Sequence, residues 1–507
     1  MFITEQKLKD KVLGCWYGKN IGGTLGAPFE WRRQINNVTD YTQDLKGNPA
    51  PNDDLDIQLL WLIALEEQNL RLSTRELGYY FSIFVTPHWA EYGNAKANMK
   101  LGIHSPQCGL ENNIYKESCG SYIRSEIWAC IAAGTPDLAV KYMLADSAID
   151  HGGNSEGTYA AVAVAAMEAA AFVESDAEKL IDIGMSYIPE ESGIYKVTQL
   201  VRDCRKAGKT YLEARDEVLK EYRGAPFQYF DGAKTVALCS DRDRELGFCD
   251  GAKGYDAVDN FGIIIIGLLY GEGDFTNTLC YAVNCGEDTD CTAATLGSLL
   301  GIMHGYSSIP KRWIEPIGNA IKTICLNHGE IERMVPETVD ELTERTMKLI
   351  KKSIALWGLN IEIGESSSGA AGTGAGLSVP VGKERAERLF KNADKAVFDF
   401  MFFEIAVSYP RGQYLSGGEG KAVISVRNKH RVSEHLEFRW YLPDGFKADR
   451  EGGLLYLARD VYGNPEVEME FTLSTDEAHE SVNRFVFEAS VVGRALTMTV
   501  PVLFLKG

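Results

Sequence analysis

Nowhere in the 507 residues does an uncharged apolar run approach the roughly 18 residues that a membrane-spanning helix needs. The nearest candidate, Phe261 to Leu269 with its four consecutive isoleucines, stops far short. The opening stretch MFITEQKLKDKVLG lacks the apolar segment of a secretory signal, so export is not expected and the cytoplasm is the expected location. Positive charge is scarce as well. Lys and Arg number 52 against 71 Asp and Glu, a formal net charge of −19, which argues against nucleic acid or an anionic membrane as partner. Of the eleven cysteines none lies beyond Cys325 and none forms a CxxC pair. An odd count without an export signal predicts free thiols rather than disulfides, and no zinc site of CxxC type. No repeat of solenoid period is present.

What remains is an ordinary globular composition, 45% apolar and 24% charged, long enough for two to four domains. The chain changes character near a Gly/Ser/Ala stretch, NIEIGESSSGAAGTGAGLSVP, over residues 360–380, which has linker composition. Before it, LDIQLLWLIALEEQNL, EGTYAAVAVAAMEAAAFV and CTAATLGSLLGIMHGY carry apolar residues at helical spacing. After it, segments such as HLEFRWYLP and RFVFEASVV alternate apolar with polar residues, and turn residues recur between them. Six or seven short strands are expected there, as an immunoglobulin-like sandwich. The expected division is a helical domain at 1–358, a linker with a short helix (KERAERLFKNADKAV) at 359–394, and an all-β sandwich at 395–507. Most of the acidity falls in the first part, since residues 360–507 hold 17 Lys/Arg against 21 Asp/Glu.

Two acidic motifs stand directly ahead of apolar helices. Asn52-Asp53-Asp54-Leu55-Asp56 precedes the first, and Gly286-Glu287-Asp288-Thr289-Asp290-Cys291 precedes the second. Each alone reads as a helix cap, because a carboxylate satisfies free N–H groups and favours the positive end of the helix dipole. Together they have a second reading, in which the two helix ends converge and hold one or two hard divalent cations that offset the repulsion of the carboxylates. A third element, Gly14 to Glu30, has glycines at 14, 18, 22 and 26, along one face of a helix. No strand precedes it and no GK[ST] ends it, so close helix packing is the better reading than a phosphate loop. Glu30 follows the helix end.

In this order and spacing the three elements resemble the ADP-ribosylglycohydrolase family, also called dinitrogenase-reductase-activating glycohydrolase-like, over about residues 6–357. The carriers are Gly22 to Glu30 for its GDxxGxxxE-like helix end, Asn52-Asp53-Asp54 for its Thr-Asp-Asp motif, and Gly286 to Cys291 for its GGDTDT motif. Ile309-Pro310 through Trp313 matches the feature that closes the helix pair. The fold class so implied is an all-α glycohydrolase-like domain followed by the all-β sandwich. The resemblance implies Asn52, Asp53, Asp54, Asp288 and Asp290 as metal ligands and Glu30, Asp53 and Asp290 as catalytic groups. It also implies Gly120, Ser121, His151, Gly153 and Asn154 as substrate-binding residues, and one or two Mg²⁺ ions as cofactor, with Mn²⁺ as the alternative. Three positions depart from the family pattern: Gly23 stands for an acid, Asn52 for Thr and Cys291 for Thr. A thiol is a soft substitute for a hydroxyl on a hard cation. Asp56 is a candidate replacement ligand.

The activity so implied is hydrolysis of the glycosidic bond of an ADP-ribosylated protein or small molecule. Its competitors are a glycosidase for another furanoside or nucleoside, and a catalytically silent ADP-ribose-binding protein. For the sandwich the readings are a packing or self-association domain, or a sugar-stacking surface built from Trp440, Tyr441, Tyr456 and Tyr462.

Overall fold

The glycine stripe explains how the helical part is assembled. Helix α1 (Glu5–Gly26) begins at Thr4, whose hydroxyl accepts the Lys7 N–H, and its second half is entirely buried. It runs antiparallel against the late helix Thr289–His304. Gly14 meets Gly301, Gly18 meets Gly297, Gly22 meets Ala293 and Gly26 meets Asp290. A Cβ on Gly18 would lie 2.0 Å from the Gly297 carbonyl oxygen, and one on Gly301 would lie 2.0 Å from that of Gly14. No side chain fits in this seam, so the two backbones touch. At its far end the Thr289 hydroxyl donates to the Gly26 carbonyl at 2.8 Å.

The computed structural model describes residues 2–30, 32–223, 241, 245, 254–359, 361–364, 383–459 and 463–507. Most of the Gly/Ser/Ala stretch and Tyr462 lie outside these residues. Helices α2 (Asp53–Glu67), Glu156–Ala171 and Ala257–Tyr270 are buried on nearly all sides. They are therefore central elements and not surface helices with one apolar stripe. A single apolar core runs through this helical part. Among the described residues no helix is long and apolar enough to cross a membrane, and the nine described cysteines are buried free thiols.

The short strand β1 (Phe2–Thr4) pairs in parallel with β2 (Glu362–Gly364) and ties the two ends of the helical part together. The connecting helix is present at Lys383–Phe390. The remainder is a sandwich of two five-stranded sheets around its own apolar core. One sheet has the order β3 (Ala396–Asp399), β4 (Phe403–Ser408), β6 (Glu419–Asn428), β10 (Glu466–Thr475), β8 (Phe446–Ala448). The other has β5 (Tyr414–Leu415), β12 (Thr497–Lys506), β11 (Val482–Val491), β7 (Glu434–Tyr441), β9 (Gly452–Leu457). All pairings are antiparallel except β5 with β12. The strands outnumber the six or seven expected because β3, β5 and β8 are too short for an alternating pattern to register.

Strand alternation also separates the aromatic residues. Trp440 points inward and packs 5.2 Å from both the Phe471 and Phe487 rings, whereas Tyr441 and Tyr456 are exposed. They form no shared stacking surface with Trp440. The sandwich meets the helical part through Leu503 and Leu505 against Ile103 and Cys108, with the Arg484 guanidinium donating to the Leu101 carbonyl at 3.1 Å.

Gly18→Ala, which forces a methyl into the seam, is expected to lower stability by about 1–3 kcal/mol in urea unfolding. Gly78→Ala is the matched control: its methyl would meet nothing nearer than 3.6 Å, so it should be neutral or stabilising by up to about 1 kcal/mol. Equal effects of the two changes would refute the seam as the source.

Candidate functional site

The seam delivers two helix ends to one place. Where α1 stops, Ala27–Phe29 forms one further turn and Glu30 follows it. Beside it the late helix begins, with Asp288 at the position just before it, where its carboxyl makes no capping hydrogen bond, and Asp290 in its first turn. Asn52 caps α2 by accepting the Asp54 N–H at 2.7 Å, and its side-chain amide donates to Asp290 Oδ2 at 3.1 Å. This last bond crosses from the early motif to the late one, so the carboxylates on the two helix starts share one buried centre. One donor atom from each of Glu30, Asp288 and Asp290 falls within 4.8 Å of the others, as it does for Asp54, Asp290 and Cys291. Asp53 lies close enough for its charge to act on Glu30 and Asp290, and it accepts from the Tyr92 hydroxyl at 3.0 Å.

So much negative charge in a small volume needs compensation. Lys19, from the second half of α1 and turned away from the seam, supplies part of it, with its ammonium 3.2 Å from Asp54 and 2.8 Å from Glu126, all three fully buried. The same ammonium donates to the Ile123 carbonyl at 2.6 Å. Asp288 Oδ1 and Asp290 Oδ1 accept no hydrogen bond although both residues are buried. Orphaned buried oxygens of this kind suit a divalent cation.

The protonation of the centre reflects that deficit. Burial, reinforced by Asp54, raises Asp53 to about 6. Burial also raises Asp54 to about 7 against the pull of Lys19, with Asp290 and Glu126 adding to the rise. Glu30 is pushed to about 10 by burial first, then by Asp290, Asp53 and Asp54. Asp288 is driven well above the carboxylate range by burial and by Cys119 and Asp290, and burial raises Asp290 too.

Not every residue that the sequence suggested turns toward this centre. Asp56 accepts the N–H groups of Ile324 and Cys325, both at 2.6 Å, and so anchors that loop. His151 is fully buried, with Nδ1 at 2.9 Å from Asp150 and Nε2 at 3.0 Å from the Ser118 hydroxyl. The Gly120 carbonyl accepts from Arg124, whose guanidinium also binds Asp146 and Asp150, and the Ser121 hydroxyl pairs with that of Ser147. The Gly153 N–H donates to the Ala393 carbonyl in the connector, and Asn154 is exposed. The middle segments thus form a buried polar network beside the centre and extend to the sandwich junction.

Two contributors escaped the sequence reading. Lys19 was legible in principle as a lone charge in the otherwise uncharged second half of α1. Cys119 was not, since 169 positions separate it from Asp288, to whose carboxylate its thiol donates at 2.8 Å.

Comparison with known proteins shows what the chain resembles. The family model described as ADP-ribosylglycohydrolase matches residues 4–352. ADP-ribosylarginine hydrolase Tri1 of Serratia proteamaculans (strain 568) is 37% identical over 49 residues, which are 10% of this chain and 13% of that protein. The chain therefore matches only a small part of that relative's length. The crystal structure of the FixG-related protein from Vibrio parahaemolyticus is similar at 14% identity and a TM-score of 0.18, over 21% of this chain and 96% of that one. No functional argument follows from so slight a likeness.

Because the native carboxyls hold protons that the unfolded chain has released, the metal-free protein should lose stability as the pH rises from about 4 to about 7. A divalent cation offsets that loss, so its gain in Tm should be larger near pH 7.5 than near pH 5, where protons compete with it. A gain independent of pH would contradict the assignment. Lys19→Met, which strands Asp54 and Glu126 without a countercharge, should cost about 3–5 kcal/mol in chemical denaturation. A cost below about 1 kcal/mol would mean that the lysine does not carry the compensation.

Proposed function

The chain belongs to the ADP-ribosylglycohydrolase family, and from that premise we propose that this hydrolase is metal-dependent and cleaves the glycosidic bond between ADP-ribose and a protein side chain or small acceptor. The observation that carries the reading is the convergence of Asp54, Asp288 and Asp290 with Glu30, around oxygens that have no hydrogen-bond partner. The acidic donor set fits a divalent cation. Asp53, Asp54, Asp288 and Asp290 would hold it, while Asn52, already engaged as cap and as donor to Asp290, would contribute through its remaining lone pair. A cation bound there orients the ribose hydroxyls and polarises water.

The protein's own groups account for the rest of the chemistry. Breaking the bond at the anomeric carbon passes through a state with positive charge on the sugar, and a cluster of carboxylates stabilises that charge where it develops. Water adds to the anomeric carbon as the bond to the acceptor breaks, and the acceptor leaves with a proton. Glu30, whose burial makes it hold a proton far more tightly than an ordinary carboxylate, is the group positioned to give that proton up or take one from water. Lys19 opposes the rise that burial imposes on Asp54 and holds its carboxyl in place.

The test is to incubate the full chain with arginine-linked and serine-linked ADP-ribosyl peptides, and in parallel with nucleosides and simple furanosides, each with a divalent cation and with chelator. The arginine linkage comes first because it is the one in the name of the relative from Serratia. Release of ADP-ribose from at least one peptide, abolished by chelator, is expected. Asp290→Asn should lower kcat/KM by about 100-fold or more, which is about 2.7 kcal/mol of lost transition-state stabilisation, with the fold retained. Turnover confined to nucleosides or furanosides would replace this reading with that of a related glycosidase. Binding of ADP-ribose without turnover of anything would leave a recognition protein.

A further inference from the structure

Two thiols stand among the carboxylates. Cys119 reaches the centre from the loop ahead of the buried polar network and Cys291 from the first turn of the late helix. Both are almost fully buried, at 3% and 6% exposure. Cys119 lies 2.8 Å from Asp288 Oδ2, and Cys291 lies 3.4 Å from Asp54 Oδ1. One donor each from Cys119, Asp288 and Cys291 falls within 4.8 Å of the other two. These three overlap the carboxylate groupings through Asp288 and Cys291, so the thiols belong to the same centre.

A thiol is a weak hydrogen-bond donor, and two of them do little to neutralise buried aspartates. They are good ligands for a borderline cation, whereas Mg²⁺ takes oxygen. The size also fits. A tetrahedral ion with sulfur at about 2.3 Å and oxygen at about 2.0–2.2 Å holds its donors roughly 3.3–3.8 Å apart, inside the observed spread. An independent mark of an expected ion is Asp288 Oδ1, which accepts no hydrogen bond in a residue only 2% exposed.

We propose that the centre is a mixed thiolate–carboxylate site, with Cys119, Asp288 and Cys291 ligating one ion of the Zn²⁺ or Co²⁺ class in preference to Mg²⁺. Each thiol gives its proton to solvent as its sulfur bonds the ion, and nothing is oxidised or reduced. Sequence spacing hides such a site, because the two cysteines are 172 positions apart and belong to no CxxC pair. The proposal rests on the metal-centre reading and deepens it by naming the ion.

The test needs no catalysis. The metal-free full chain is titrated with Co²⁺ in an excess of Mg²⁺, while the near-ultraviolet sulfur-to-cobalt charge-transfer band is recorded. Equilibrium dialysis against mixed Zn²⁺ and Mg²⁺ then gives the bound ions. The expected result is a saturating band in the wild type, loss of that band in Cys119→Ser/Cys291→Thr, and a fall in the preference for Zn²⁺ over Mg²⁺ on the order of tenfold or more in the double variant. Bound Co²⁺ without the band, or Mg²⁺ bound in place of Zn²⁺, would overturn the thiolate ligation and leave the metal-dependent reading standing. No divalent ion bound in dialysis would overturn both. The wild-type spectrum decides the question even where the variant fails to fold.

Discussion

The backbone contact between α1 and the helix Thr289–His304 is the constraint on which the rest depends. Four glycines on one helix and two glycines with an alanine on the other remove every side chain from the seam, so the two axes come closer than ordinary side-chain packing allows. That proximity fixes where both helices end. It sets Gly26 against the backbone of Asp290 and hence Glu30 beside Asp288 and Asp290. In a seam filled with larger side chains these ends would stand several ångströms further apart, and the carboxylates would be ordinary caps in separate places.

Bringing the acids together in a dry interior is costly, and the surroundings are arranged to limit the cost. Lys19 is held between Asp54 and Glu126. A short distance away Arg124 satisfies Asp146 and Asp150, and the indole N–H groups of Trp61 and Trp128 complete the coordination of Asp146 at 3.0 and 2.8 Å. In this second network two carboxylates share one guanidinium, and all four of their oxygens accept hydrogen bonds. Burial of ion pairs adds little net stability, but leaving one partner alone is severe. The first network differs in that Asp288 Oδ1 and Asp290 Oδ1 accept no hydrogen bond.

The junction with the sandwich lies on the side of the middle segments. Leu503 and Leu505 of β12 pack on Ile103 and Cys108, the Gln107 side chain donates to the Asp394 carbonyl, and the Gly153 N–H donates to that of Ala393. Gly153 and Asn154 border this junction, and both belong to the turn that carries His151. The appended sheets are thus linked to the polar network through a few hydrogen bonds and one small apolar patch.

Much of this was legible in the chain itself. Helix-favouring composition before residue 360 and strand alternation after it divide all-α from all-β, because a half-buried strand shows a period of 2, whereas helices buried on nearly all sides show their type in composition and not in one apolar stripe. The four-residue glycine period announced a backbone seam, and Asp53-Asp54 and Asp288-Thr289-Asp290 announced acidic helix starts, since a cap is a local property of the residues that make it. Convergence is not local. That Asn52 bonds Asp290, that Asp56 turns away to hold the Ile324–Cys325 backbone while Asp54 turns in, and that Cys119 and Cys291 face the same aspartate were decided by packing alone. Which atoms meet across 170 or 240 positions depends on how closely the helices approach, and only the tertiary structure sets that distance.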